Sequence, residues 1–147
     1  CRHCWAEKGN ETMTLLPNDL INEMDHRGFD AYEVYGENMV VIAVPNAEDL
    51  TETIPVMAEF QDDMLSVSAV VAEVQEEAFL PAVRMCNALN AGSRWYKHFV
   101  QETPAGTFQV CTAADWIAKE LPADVAFRAL AEFNQHVYAV ERELMKA

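Results

Sequence analysis

A chain of 147 residues is the size of one ordinary domain. Its 51% apolar and 23% charged content excludes a disordered chain, and no apolar run reaches the ~18–20 residues of a membrane span. The formal net charge of −14 argues against a nucleic-acid binder, whose phosphate contacts need clustered Lys and Arg.

The distribution of charge says more than its total. From Phe29 to Val83 there is no Lys or Arg, while twelve acids lie between Asp30 and Glu77. That stretch is either a solvated acidic sheet face or a docking surface for a basic partner. The four cysteines are Cys1, Cys4, Cys86 and Cys111. Cys86 and Cys111 sit in apolar surroundings, where free Cys packs as a small hydrophobe. With no disulfide framework and no signal-peptide pattern, a cytoplasmic location is expected.

In chain order, residues 1–12, CRHCWAEKGNET, carry no pattern and read as a tail, with Met13 as a natural start. Cys1-x-x-Cys4 with His3 suggests metal, but a structural zinc site needs about four ligands and there is no second such pair. His26, His98 and His136 stand alone in separate elements, so neither metal nor cofactor is expected. Leu16 to Arg27 predicts a helix, with Pro17 in its first turn, Leu20, Ile21 and Met24 as its stripe, and Gly28 as its stop. Phe29–Tyr35 and Met39–Val44 predict strands joined at the Gly36-Glu37-Asn38 turn, a hairpin. Ile54–Phe60 predicts a third strand. Met64–Ala72 predicts a fourth, with Leu65, Val67, Ala69 and Val71 on one face and Ser66 and Ser68 on the other, as in an antiparallel sheet.

Glu76-Glu77 opens a central helix starting near Phe79. Phe79, Leu80, Val83, Cys86, Leu89 and Asn90 recur at helical spacing, and Gly92 stops the helix. Trp95–Glu102 and Thr107–Ala113 predict a strand pair around the Thr103–Gly106 turn. Asp115–Leu121 reads as a helical turn or a covering loop. Ala123 to about Met145 predicts a final helix. Its residues Leu130, Phe133, Val137, Val140 and Leu144 form a heptad-like seam, suited to packing on the sheet or to zipping two copies together.

Sites of chemistry are sparse. The five glycines are isolated, so no phosphate loop is present, and there is no Gly-x-Ser-x-Gly elbow. Asp62-Asp63 and Glu76-Glu77 fit a turn and a helix start better than acid–base work. No enzyme activity is expected. Asn87 and Asn90, three apart on one helix face, either satisfy backbone where the helix ends or hold a ligand. Trp95 and Tyr96 alternate, so one enters the core and the other lines a surface. Lys97 and His98 follow the same alternation, and a lone His there reads as an ordinary hydrogen-bonded or surface side chain.

The segments LINEMDHRGFDAYEVYGENMVVIAV, FQDDMLSVSAVVAEV, LPAVRMCNALNAGSRWYKHFV and GTFQVCTA resemble the YbjN family, proposed bacterial sensory transduction regulators with the fold of type III secretion chaperones. The family's helix–Asn–aromatic-strand junction looks like Asn87, Asn90, Trp95 and Phe99. The resemblance implies one α+β domain over residues 13–147, with an antiparallel sheet of five to six strands and helices packed on it. It also implies a non-enzymatic protein-binding regulator or chaperone-like adaptor, dimeric, holding an extended protein partner. Trp95, Tyr96, Phe99, Asn87 and Asn90 are the expected partner-binding residues. A metal- or small-molecule-responsive sensor, built on the Cys1–Cys4 segment, is the alternative.

Overall fold

The computed structural model describes residues 14–146. Helix α1 (Pro17–His26) is followed by strands β1 (Tyr32–Tyr35), β2 (Met39–Ile42), β3 (Val56–Gln61) and β4 (Met64–Val74). A short 3-10 turn (Glu76–Ala78) leads into α2 (Phe79–Gly92), then β5 (Lys97–Glu102), β6 (Phe108–Ile117) and α3 (Ala123–Lys146). The six strands form one sheet in the order β1-β2-β3-β4-β6-β5, and every pairing is antiparallel. The first four strands are a meander. α2 then leads beyond the far edge, and β6 returns to fill the place between β4 and β5. This is the α+β class expected from the sequence.

Local chemistry places most of these elements. Leu16 N–H donates to the Asp19 carboxylate at 2.9 Å, satisfying a group that the start of α1 leaves free. Gly28, at φ +73, stops α1 in the left-handed region that glycine enters without steric cost. Alternation decides the faces. Val40, Ile42, Val56, Ala58, Leu65, Val67 and Ala69 all point into the core. α3 covers that face, and its seam residues Leu130, Phe133, Val137 and Val140 are buried while Leu144 packs partly against the core. Each such fully buried side chain stabilises the fold by about 1.5–3 kcal/mol. The seam therefore packs on the protein's own sheet. α1 joins the same layer through Phe29, edge-on to Phe127 at 5.2 Å, and Arg27 lies over the Phe127 ring.

α3 also mends a gap. β2 and β3 stop pairing beyond Ile42 and Val56, and Val44 and Ile54 turn their polar groups toward the helix. Asn134 accepts from Val44 N–H and donates to Ile54 C=O, both at 3.0 Å. The Tyr138 hydroxyl donates to Val44 C=O at 2.6 Å and accepts from Ile54 N–H at 3.0 Å. Two side chains, four apart on one helix face, thus pair all four backbone groups that the missing ladder leaves over.

Three expectations are corrected. Asp115–Leu121 is not a helical turn or loop throughout. Asp115, Trp116 and Ile117 extend β6, because they pair with Ser66, Leu65 and Met64 and so give the start of β4 its second neighbour. The strand expected from Trp95 begins at Lys97. The stripe expected on α2 holds at Cys86, which is buried, and at Leu89, which packs partly against the core, but Phe79 and Leu80 are exposed and Ala82 is buried in their stead. α2 lies against β5, and its Met85 and Leu89 also pack partly against the core. The patternless segment 1–12, with its Cys-x-x-Cys, lies outside the described residues. Among the described residues no helix is long and apolar enough to cross a membrane.

Candidate functional site

The junction of α2 with β5 holds the residues singled out in the sequence, and it divides them into two groups. Asn90, though exposed, and Tyr96, half-buried, have their side chains engaged within the chain itself. Asn90 Oδ1 accepts from His98 N–H at 2.7 Å, and its Nδ2 donates to His98 C=O at 2.8 Å. One amide thereby makes both bonds that a further strand would make at this edge, which closes the sheet there. Tyr96 stacks on His136 at 4.5 Å and meets Phe133 edge-on at 5.5 Å. Burial and the charge of Glu132 push its phenol up.

Asn87, Trp95 and Phe99 are exposed. Trp95 is 75% exposed and Phe99 39%. The alternation expected of Trp95 and Tyr96 holds in outcome, with Tyr96 turned inward and Trp95 outward, although both precede the strand.

The sequence missed one arrangement altogether. His98 and His136, read as solitary, meet with their Nε2 atoms 2.7 Å apart, and His98 is only 2% exposed. His98 Nδ1 also lies 2.9 Å from Asn90 Oδ1. Burial lowers both imidazoles, and His98, with the charge of His136 added, is held down at about 4. Both rings are neutral at pH 7. The two partners are separated by 38 residues in different element types. Only the return of β6 beside β4, which brings β5 under α3, places them together, and no local pattern in the sequence could have signalled it.

Phe99 belongs to the sheet face opposite α3. Two rows of directly paired residues cross this face: Tyr35, Met39, Glu59, Ser66 and Asp115, then Glu33, Val41, Met57, Ser68, Ala113 and Lys97. Lys97 is tied to Asp115 at 3.4 Å, so Glu33 and Glu59 leave the face acidic. Tyr35 is 53% exposed and Ile117 66%. A shallow groove of about 340 Å³ runs among Tyr35, Met39, Val41, Pro55, Met57 and Val70. Cys111 lies toward the far side of this face, buried, and Cys86 of α2 is close enough to act on it. Burial pushes both thiols up, so they stay protonated and unreactive. Among the described residues no cluster of three or more His, Cys, Asp or Glu is placed to hold a metal ion. A second hollow of about 590 Å³ lies away from these residues, between α1 and the 120–123 turn, rimmed by Asp19, Glu23 and Glu120.

No family model and no curated protein matches this chain. The similarity lies in three dimensions. The crystal structure of YbjN from E. coli, a proposed transcription regulator, superposes with a TM-score of 0.65 over 88% of this chain and 93% of that one. The fold is YbjN-like. At 18% identity the likeness to YbjN carries the fold and no residue roles. It agrees with the fold expected from the four sequence segments above.

Proposed function

We propose that this protein is a non-enzymatic regulator that acts by binding another protein. One observation carries the reading: large apolar side groups are uncovered on an acidic sheet face. Tyr35, Phe99 and Ile117 stand in water on that face, with Trp95 two residues before β5. Tyr35 stands on one edge strand and Phe99 on the other, so the uncovered groups are spread across the face, and aromatic residues are enriched in interaction surfaces. The lack of any Lys or Arg from Phe29 to Val83 makes a basic partner the better match. YbjN, whose fold is similar, is itself a proposed transcription regulator.

Asn90 and Tyr96 leave the expected partner-binding set in this reading, because the Asn90 amide is occupied by the His98 backbone and the Tyr96 ring by Phe133 and His136. Trp95, Phe99 and Asn87 remain. A homodimer belongs to the same reading, but it must use a surface other than the α3 seam, which is already buried. The test is co-purification from the native host with the wild-type protein and with a Trp95→Ser/Phe99→Ser variant, alongside light scattering of the purified protein. Capture of a defined partner that the variant loses supports the reading. A monomer that captures nothing sinks it.

A further inference from the structure

Strand β5 and helix α3 meet through two imidazoles whose proton positions are dictated by the backbone. Asn90 receives a backbone N–H on one side and gives to a backbone carbonyl on the other, so its amide orientation is set. Its Oδ1 can only accept. His98 Nδ1, 2.9 Å away, must therefore carry a hydrogen. A neutral His98 then has a bare Nε2, and His136 must supply the hydrogen between the two rings from its own Nε2. The ring centroids stand 5.0 Å apart. That is the nitrogen separation plus one ring radius on either side, so the lone pair and the N–H meet head-on. The geometry is that of a hydrogen bond rather than of two nitrogens converging on a shared metal.

We infer that His98 and His136 form a latch that ties α3 to β5 through a single shared hydrogen and opens when His98 takes up a proton. A first proton on Nδ1 of His136 leaves both hydrogen bonds in place and strengthens the one between the rings. A second proton, on Nε2 of His98 while His136 is already cationic, sets N–H against N–H across 2.7 Å. His98 is held by Asn90 at its backbone and its Nδ1 together. The His136 ring and the helix that carries it must then give way.

Around the pair, Asn90 faces it from α2 and Tyr96 from the lead-in to β5. From β6, Thr112 is the direct register partner of His98, with a buried hydroxyl that has no partner of its own. On α3, Glu132 acts on Tyr96. The influences on the two rings themselves are burial and, for His98, the charge of His136. Among the described residues no carboxylate is among the influences on either ring.

The decisive experiment has two arms. In ¹⁵N spectra of the imidazoles at pH 7, His98 is expected to be protonated at Nδ1 and bare at Nε2, with His136 protonated at Nε2. A His98 protonated at Nε2 overturns the latch. In the second arm, unfolding is measured from pH 7 to pH 4 for the wild-type protein and for His98→Gln, whose amide offers the same kinds of bond without a titrating group. The unfolding constant of the wild type should rise relative to the variant by roughly a hundredfold over that range. Parallel curves overturn the proposal. Taking the difference between the two proteins removes the separate titration of Glu141. If the variant does not fold, the spectra of the wild-type protein still decide.

Discussion

Replacing Tyr138 by Phe removes one oxygen and keeps the ring in place, yet it strands two backbone groups. The hydroxyl lies at 2.6 Å from Val44 C=O and 3.0 Å from Ile54 N–H, and the residue has no solvent exposure. An unsatisfied buried polar group costs about 1–3 kcal/mol, and the lost bonds were themselves worth about 0.5–1.5 kcal/mol net each. The phenyl ring still packs, so the loss should be about 2–4 kcal/mol, a large share of the ~5–15 kcal/mol typical of a domain. Asn134→Leu strands the other two groups of the same pair, Val44 N–H and Ile54 C=O. Because the two substitutions share both partners, the double variant should depart from additivity by about 0.5–3 kcal/mol. Urea unfolding reads this directly, as a lower midpoint with an unchanged slope. A loss below about 0.5 kcal/mol for Tyr138→Phe at constant slope would refute the reasoning. It would mean that water enters between Val44 and Ile54 and that α3 is not what completes the β2–β3 junction.

Other outcomes follow from the same geometry. Asn90→Ala should cost about 1–3 kcal/mol, two hydrogen bonds at about 0.5–1.5 kcal/mol each, since it frees both backbone groups of His98 at a sheet edge, and hydrogen exchange at β5 should rise selectively. An unchanged β5 would show that the edge is closed by something else. Leu130→Ala, at a fully buried seam position, should cost about 2–5 kcal/mol in the same unfolding assay. A cost under about 1 kcal/mol would mean that the seam is not the core contact. Burial and the neighbouring Glu52 push the Glu141 carboxyl up to about 7 from 4.5. The folded protein then keeps a proton that the unfolded one releases, so this contribution to stability is full below about 4.5 and lost as pH rises through 7. Glu141→Gln should therefore gain on the wild type as pH rises from about 4.5 to 7 and keep that gain above it, and stability curves that stay parallel from pH 5 to pH 9 would contradict this. Trp95→Ser with Phe99→Ser should leave the melting temperature nearly unchanged, because both residues are exposed, while capture of a partner falls. A large drop in melting temperature would make these residues structural.

Sequence alone determined the pieces whose causes are local. The β1–β2 hairpin follows from Gly36, which takes φ +63 at the turn. The alternation of Leu65, Val67 and Ala69 sets one face of β4, and the 3-4 spacing from Leu130 to Val140 sets the buried stripe of α3. In each case the period of apolar residues matches the period of the backbone, so a short window holds the answer. Tertiary structure decided what depends on partners distant in the sequence. β6 lies between β4 and β5, and its length to Ile117 is fixed by the start of β4. Which α2 residues are buried, Ala82 and Cys86, depends on the strands β5 and β6 that it meets. The same cause explains the candidate site. Asn90 reads as a backbone partner at the helix end or as a ligand residue until β5 supplies His98 and decides for the former, and His98 and His136 read as solitary until the crossover brings strand and helix together. Asn134 and Tyr138 look like polar interruptions of an apolar seam. Only the gap between Val44 and Ile54 gives them their purpose, because a hydrogen bond needs both ends and the sequence shows just one at a time.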